Sequence, residues 1–203
     1  MDKLIYLDNA ATTSLGQEAL EEMMPYLKEN YSNPSSVYGF AQKGKKAVED
    51  ARGVIAAALG AKDREIYFTG GGSESDNWAL KGVAAAYQDK GKHIITSKIE
   101  HHAVLHTCGY LERQGYEVTY LDVDENGLVS PEAVEASIRP DTILISIMFA
   151  NNEIGTIEPI EKIGEVASRH KVLFHTDAVQ AFGHIPIDVE KMHIDLLSAS
   201  GHK

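Results

Sequence analysis

The sequence predicts an α/β fold: a mostly parallel sheet with helices on both faces, preceded by an N-terminal helical arm. Short β-branched runs alternate with longer stretches of helical period. Several of those runs are apolar nearly throughout, as strands buried on both faces require. The two long Gly/Asn-rich stretches, "TGGGSESDN" and "FANNEIG", each directly follow a candidate strand. In open α/β sheets ligands gather beyond the carboxyl ends of strands, so those stretches also mark where a site is expected.

Residues 1–15 form an N-terminal segment in which the apolar run of "MDKLIYLDNAATT" is broken by Asp8, which excludes a signal peptide. Residues 16–60 read as the arm, with "GQEALEEMMPYLKEN" and "GFAQKGKKAVEDARGVIAAALG" as two helices joined by the turn-rich "YSNPSSVYG". Residues 61–203 carry the alternating pattern. The candidate strands are "REIYF" (64–68), "HIITS" (93–97), "YEVTYL" (116–121), "TILISIM" (142–148), "KVLFH" (171–175) and "DLLSA" (195–199). Helices are expected near 73–90, 101–114, 131–138 and 159–170.

The bulk numbers limit function more than fold. With 203 residues, 43% hydrophobic and 24% charged, the chain has the composition of a soluble globular protein. A net charge of −11 argues against nucleic acid, whose phosphates need a basic face. The single cysteine, Cys108, excludes an internal disulfide and fits a reducing compartment. No window approaches the roughly 20 apolar residues of a membrane span. A cytoplasmic protein without a membrane partner is expected.

Four segments carry chemistry. In "FTGGGSESDNWAL", consecutive backbone N–H groups and a helix N-terminus suit a phosphate; a plain turn with Ser73 as helix cap and Asp76 in the first turn is the simpler reading. The segment matches neither the spaced-glycine dinucleotide fingerprint nor the Gly-Lys-Ser/Thr phosphate loop. In "SKIEHHAVLHT", Glu100, His101 and His102 open a helix, and His102 and His106 share a helical face. No third ligand is apparent, so no metal is assigned. His101, nearest the strand end, is the candidate acid/base or aromatic lid, against a solvated helix-start histidine. In "FHTDAVQAFG", Asp177 ends a buried strand, where a carboxylate needs a cation or strong donors; a helix cap is the alternative. In "LLSASGHK", Lys203 follows a glycine turn, as either an activated amine or an exposed lysine. A phosphate cradle, a carboxylate, a histidine and an amine at the strand ends of one sheet are the groups pyridoxal 5'-phosphate needs.

In order, "YLDNAATT", "SNPSS", "TGGGSESDN", "EHHAV", "NNEIG", "DAVQ" and "SGHK" make the chain similar to the amino-terminal half of cysteine desulfurases of the NifS/IscS type. These are pyridoxal-phosphate enzymes with the class V aminotransferase fold. The resemblance implies catalytic roles for Lys203, which binds the cofactor covalently, and for His101, which stacks over its ring and assists proton transfer. It implies that Asp177 pairs with the pyridine nitrogen and Gln180 with the phenolic oxygen. Gly72, Ser73, Ser200 and His202 would cradle the phosphate, and Asn152 would lie near the ring substituent. It also implies L-cysteine as substrate, a homodimer, and an iron–sulfur scaffold protein as sulfur acceptor. Ser73 stands where the family often has Thr, Phe149-Ala150 where His-Val is common, and Tyr38 where His is frequent.

Residues 61–203 are therefore expected to be the first part of a pyridoxal-phosphate-binding large domain, ending before that domain closes and before a small C-terminal domain. The substrate arginine and the loop carrying the nucleophilic cysteine are missing, so the chain alone is expected to be inactive. Cys108, within a helix, reads as a core residue. The alternatives are another class V enzyme, such as a selenocysteine lyase, aminotransferase or kynureninase-like hydrolase, and an inactive scaffold or dimerisation protein. A nucleotide-binding domain rests on "TGGGSES" alone.

Overall fold

A computed structural model describes residues 5–203. The chain divides into two compact units, residues 5–68 with His202, and residues 69–201 with Lys203. No helix among the described residues is long and apolar enough to cross a membrane.

The first unit holds two helices, α1 (Gln17–Lys28) and α2 (Gly39–Leu59), followed by a 3-10 turn at Asp63–Glu65. None of α1 is buried, whereas α2 buries Ala41, Gly44, Ala56 and Leu59 along one side. Gly60 ends α2 in the left-handed conformation at φ 67°, which glycine adopts without a Cβ penalty. The candidate strand at 64–68 does not form. Glu65 reaches back to accept a hydrogen bond from the Lys62 backbone N–H at 2.9 Å, closing the 3-10 turn. Arg52 donates to the Ile66 carbonyl, a group a sheet neighbour would have needed, and its guanidinium lies 4.9 Å from the Phe68 ring centre. Local polar partners outcompeted strand pairing.

The second unit is a sheet of five strands: β1 (His93–Ser97), β2 (Glu117–Leu121), β3 (Thr142–Ser146), β4 (Leu173–Asp177) and β5 (Leu196–Ser198). Their order is β2-β1-β3-β4-β5 and every pair is parallel. Four helices alternate with them: α3 (Gly72–Tyr87), α4 (His102–Arg113), α5 (Pro131–Ser137) and α6 (Ile160–His170). Ser130 caps α5 by accepting from Ala133 N–H, with Pro131 pre-set at the first helical position.

On one face, α3 and α4 bury Leu80, Val83, Val104, Cys108 and Leu111 against Ile94 and Leu144. Strand alternation turns Ile95, Ile145 and Phe174, all fully buried, to the opposite face, where α6 supplies Ile163, Val166 and Ala167. β1 and β3 are buried along their full length, which explains their apolar sequences. The strand order reverses at β1, whose chain leaves toward β2 while β3 lies on its other side. That is the switch point beyond which an open α/β sheet leaves a crevice.

Candidate functional site

Three loops meet at the carboxyl ends of the sheet. Asp177 is the last residue of β4, and His101 caps α4 just beyond β1. Asp76 lies just over one turn into α3, on its buried side, and is 1% exposed. One donor atom from each of Asp76, His101 and Asp177 lies within 4.8 Å of the others. The His101 Nδ1 accepts from the Ala103 backbone N–H at 3.1 Å, which fixes the ring and leaves Nε2 to carry its proton. Asp177 accepts from the Val179 backbone N–H at 2.9 Å.

Burial raises the pKa of both carboxyls. In Asp76 it combines with the nearby Asp177 charge to push the value up to about 7, with a Ser198 hydroxyl bond opposing. In Asp177 burial is opposed by the Val179 N–H bond and by the His101 charge. Both opposing contacts favour the ionised form, so of the two Asp177 is the one to carry charge. His175, fully buried beside them, is pushed down to about 3 by burial and stays neutral. Its Nδ1 meets Ser146 Oγ at 2.9 Å and its Nε2 meets Ser198 Oγ at 3.1 Å.

A third buried carboxyl, Glu100, anchors the loop that carries His101. It is 4% exposed, and its Oε1 accepts from Ser97 Oγ at 2.8 Å and from Met148 N–H at 2.9 Å. Burial pushes its pKa up to about 8. Asn151 adds a second tie by donating to the Ile99 carbonyl at 2.9 Å. The ends of β1 and β3 are thereby clamped together through buried side chains.

The glycine-rich turn lies beside the turn after β4. A Cβ built on Gly72 would sit 2.6 Å from Val179 Cγ2 and 3.9 Å from Ser200 Cβ. Gly72 and Ser200 are therefore neighbours, and Val179 packs so close to Gly72 that only glycine fits there. The helix starts at Gly72 with Gly71 at its cap position, so Ser73 is not the cap; it is exposed in the first turn. The turn also does not follow a strand, because residues 64–68 form none.

The remaining sequence candidates are placed less tightly. Asn152 and Gln180 are half-buried in the turns after β3 and β4. His202 is exposed, and its carbonyl accepts from the Thr13 hydroxyl at 2.8 Å. Lys203 is half-buried. His102 and His106 stack with ring centres 5.2 Å apart on an exposed face of α4.

The family model described as aminotransferase class-V matches residues 5–203. The chain belongs to the aminotransferase class-V family. Among class-V relatives, it is 63% identical over 202 residues to the cysteine desulfurase IscS of Methanosarcina thermophila, covering 100% of this chain and 50% of that protein. The corresponding protein of Clostridium botulinum (strain Kyoto / Type A2) is 59% identical over 203 residues, covering 100% and 51%. Among solved structures, "SspA in complex with cysteine" superposes with a TM-score of 0.95 at 49% identity, covering 97% of this chain and 57% of that one. A "NifS-like protein" gives 0.94 at 42% identity, covering 98% and 55%. The chain spans about half the length of the curated relatives it matches.

Within this class-V unit, sequence reasoning missed Asp76, His175 and Ser198 as site neighbours. Asp76 looked like an ordinary first-turn acid, because a helix start says nothing about which face meets the sheet. The available signal was its apolar company: Leu80 and Val83 lie four and seven residues on, along the buried stripe of α3.

Proposed function

We propose that this chain is the cofactor-binding portion of a cysteine desulfurase, holding pyridoxal 5'-phosphate at the carboxyl ends of its strands. The observation that carries the reading is Asp177: a buried carboxylate, 5% exposed, at a strand end. Of the groups that act on it, His101 alone favours its charge from a side chain. A protonated pyridine nitrogen is the partner such a carboxylate lacks. The N-terminus of α3, which begins at Gly72 beside Ser200, suits the phosphate, with Ser73 and Ser200 as further donors.

Lys203 would be the amine that holds the cofactor's aldehyde carbon and would move the proton at the substrate Cα. Asp177 would keep the ring nitrogen protonated. His101, oriented by the Ala103 N–H, would hold a proton at Nε2 for the leaving side. Gln180 and Asn152 would orient the ring oxygen and the substrate. When bound, pyridoxal phosphate supplies the electron sink that makes the substrate Cα–H acidic.

L-cysteine is the proposed substrate, with alanine and an enzyme-bound persulfide as products. Two of the similar proteins are named cysteine desulfurases, and one similar structure was solved in complex with cysteine. Cys108 is not the sulfur-accepting thiol: it is fully buried, and burial pushes its pKa up to about 12. The 203 residues alone would therefore bind cofactor without turning cysteine over. A homodimer and an iron–sulfur scaffold protein as sulfur acceptor complete the proposal.

Reconstitution tests it. Adding pyridoxal 5'-phosphate to the protein should give a visible absorbance band that borohydride abolishes and that Lys203→Ala lacks. A colourless wild-type protein would sink the reading.

A further inference from the structure

We propose that Asp76 is a positioning residue: a second carboxyl behind Asp177 that holds a proton, so that a single negative charge faces the cofactor ring and the held proton leaves when the ring's positive charge arrives. This rests on the pyridoxal-phosphate reading above and adds to it a residue that acts only through Asp177.

The geometry is specific. Asp76 and Asp177 come from different elements, α3 and β4, and are held with donor atoms within 4.8 Å. The Asp76 Oδ1 is buried without a hydrogen-bond partner among the described residues. Of its neighbours His101 can carry positive charge, and that charge acts on Asp177. His175 Nε2, 3.7 Å from that oxygen, belongs to a neutral ring. Ser198 donates its hydroxyl to Asp76 while accepting from His175 Nε2–H, and Ser146 donates to His175 Nδ1. With the imidazole neutral, as its burial requires, every group in that chain has a partner. From the α4 side, Glu100 is a third buried carboxyl and His101 acts on Asp177. Two carboxylates this close and this dry, sharing one histidine, do not both ionise before a further cation arrives. Asp177, with its N–H donor and His101, takes the charge; Asp76, with an unsatisfied oxygen, keeps the proton.

The consequence is a proton count. When the ring nitrogen's positive charge settles against Asp177, the cost of ionising Asp76 falls, and near neutral pH it releases part of its proton. Calorimetric titration of the protein with pyridoxal 5'-phosphate at pH 7, in buffers of different ionisation enthalpy, reads that number. Wild type should release on the order of half a proton more per cofactor than Asp76→Asn, a near-isosteric variant with nothing to release. Equal counts in the two proteins would overturn the inference.

If Asp76→Asn does not fold, the wild-type protein still decides. Infrared spectra of protein carrying 13C-labelled aspartate should show a protonated aspartic acid band at pH 6 that weakens on adding pyridoxal 5'-phosphate at pH 7. Absence of that band refutes a held proton. If wild type binds no pyridoxal 5'-phosphate, the cofactor reading itself fails, and the infrared band without cofactor then separates that failure from failure of the carboxyl pairing.

Discussion

Glu100 offers the sharpest energetic test. Burial raises its pKa in the folded chain from 4.5 to about 8. A carboxyl raised on folding favours the protonated native state. Its stabilising effect is fully present below about 4.5 and is lost as pH rises through about 8. Integrated between pH 5 and pH 8, that loss is on the order of 3 kcal/mol. Glu100→Gln keeps an oxygen for Ser97 and Met148 and carries no charge. It should match wild type within about 1 kcal/mol at pH 5 and exceed it by about 3 kcal/mol at pH 8. Glu100→Ala strands the Met148 N–H and the Ser97 hydroxyl and leaves a void, so it should lose roughly 3–5 kcal/mol at pH 5. Urea unfolding of the three proteins at both pH values measures this. If wild type and Glu100→Gln track each other across pH, Glu100 is not the buried, proton-holding clamp described here.

Other perturbations give separable outcomes. Gly72→Ala should cost about 1–3 kcal/mol by overpacking against Val179 and should weaken pyridoxal 5'-phosphate binding; Val179→Ala in the same chain should restore both, as read by denaturation and by dialysis against the cofactor. Cys108→Ala should lower stability by about 1–2 kcal/mol but leave cofactor absorbance intact, and iodoacetamide should leave native Cys108 unmodified. His175 is neutral in the fold, with its pKa lowered from 6.5 to about 3, so its stabilising effect is full above pH 6.5 and is lost as pH falls toward 3. Replacing it with Asn should flatten the acid limb of a thermal-melting series between pH 4 and 6.

The sequence showed the sheet well because its central strands are buried on both faces. "HIITS" and "TILIS" admit few other structures, and both lie at the centre of the sheet. "REIYF" has equal strand propensity, yet it is not a strand. Propensity says nothing of whether a neighbour offers a free edge, and here the Glu65 and Ile66 N–H groups bond the Lys62 and Asp63 carbonyls while Arg52 holds the Ile66 carbonyl. Asp177 and His101 were legible because one ends a strand and the other lies just beyond one, which places both at the same end of the sheet. Asp76, His175 and Ser198 were not, because their convergence depends on which helix face and which strand face turn inward across three elements. Glu100 was visible only as the neighbour of a histidine; its clamp to Met148 spans 48 residues and needs the pairing of β1 with β3.

The central claim is that Asp177 and Lys203 grip opposite sides of one ring. Diffraction from crystals of the protein grown with pyridoxal 5'-phosphate tests it most directly. The expected map shows density continuous from Lys203 Nζ to the cofactor and the ring nitrogen roughly 2.7–2.9 Å from the Asp177 carboxylate. A cofactor attached to another lysine, or a ring whose nitrogen faces away from Asp177, would contradict it.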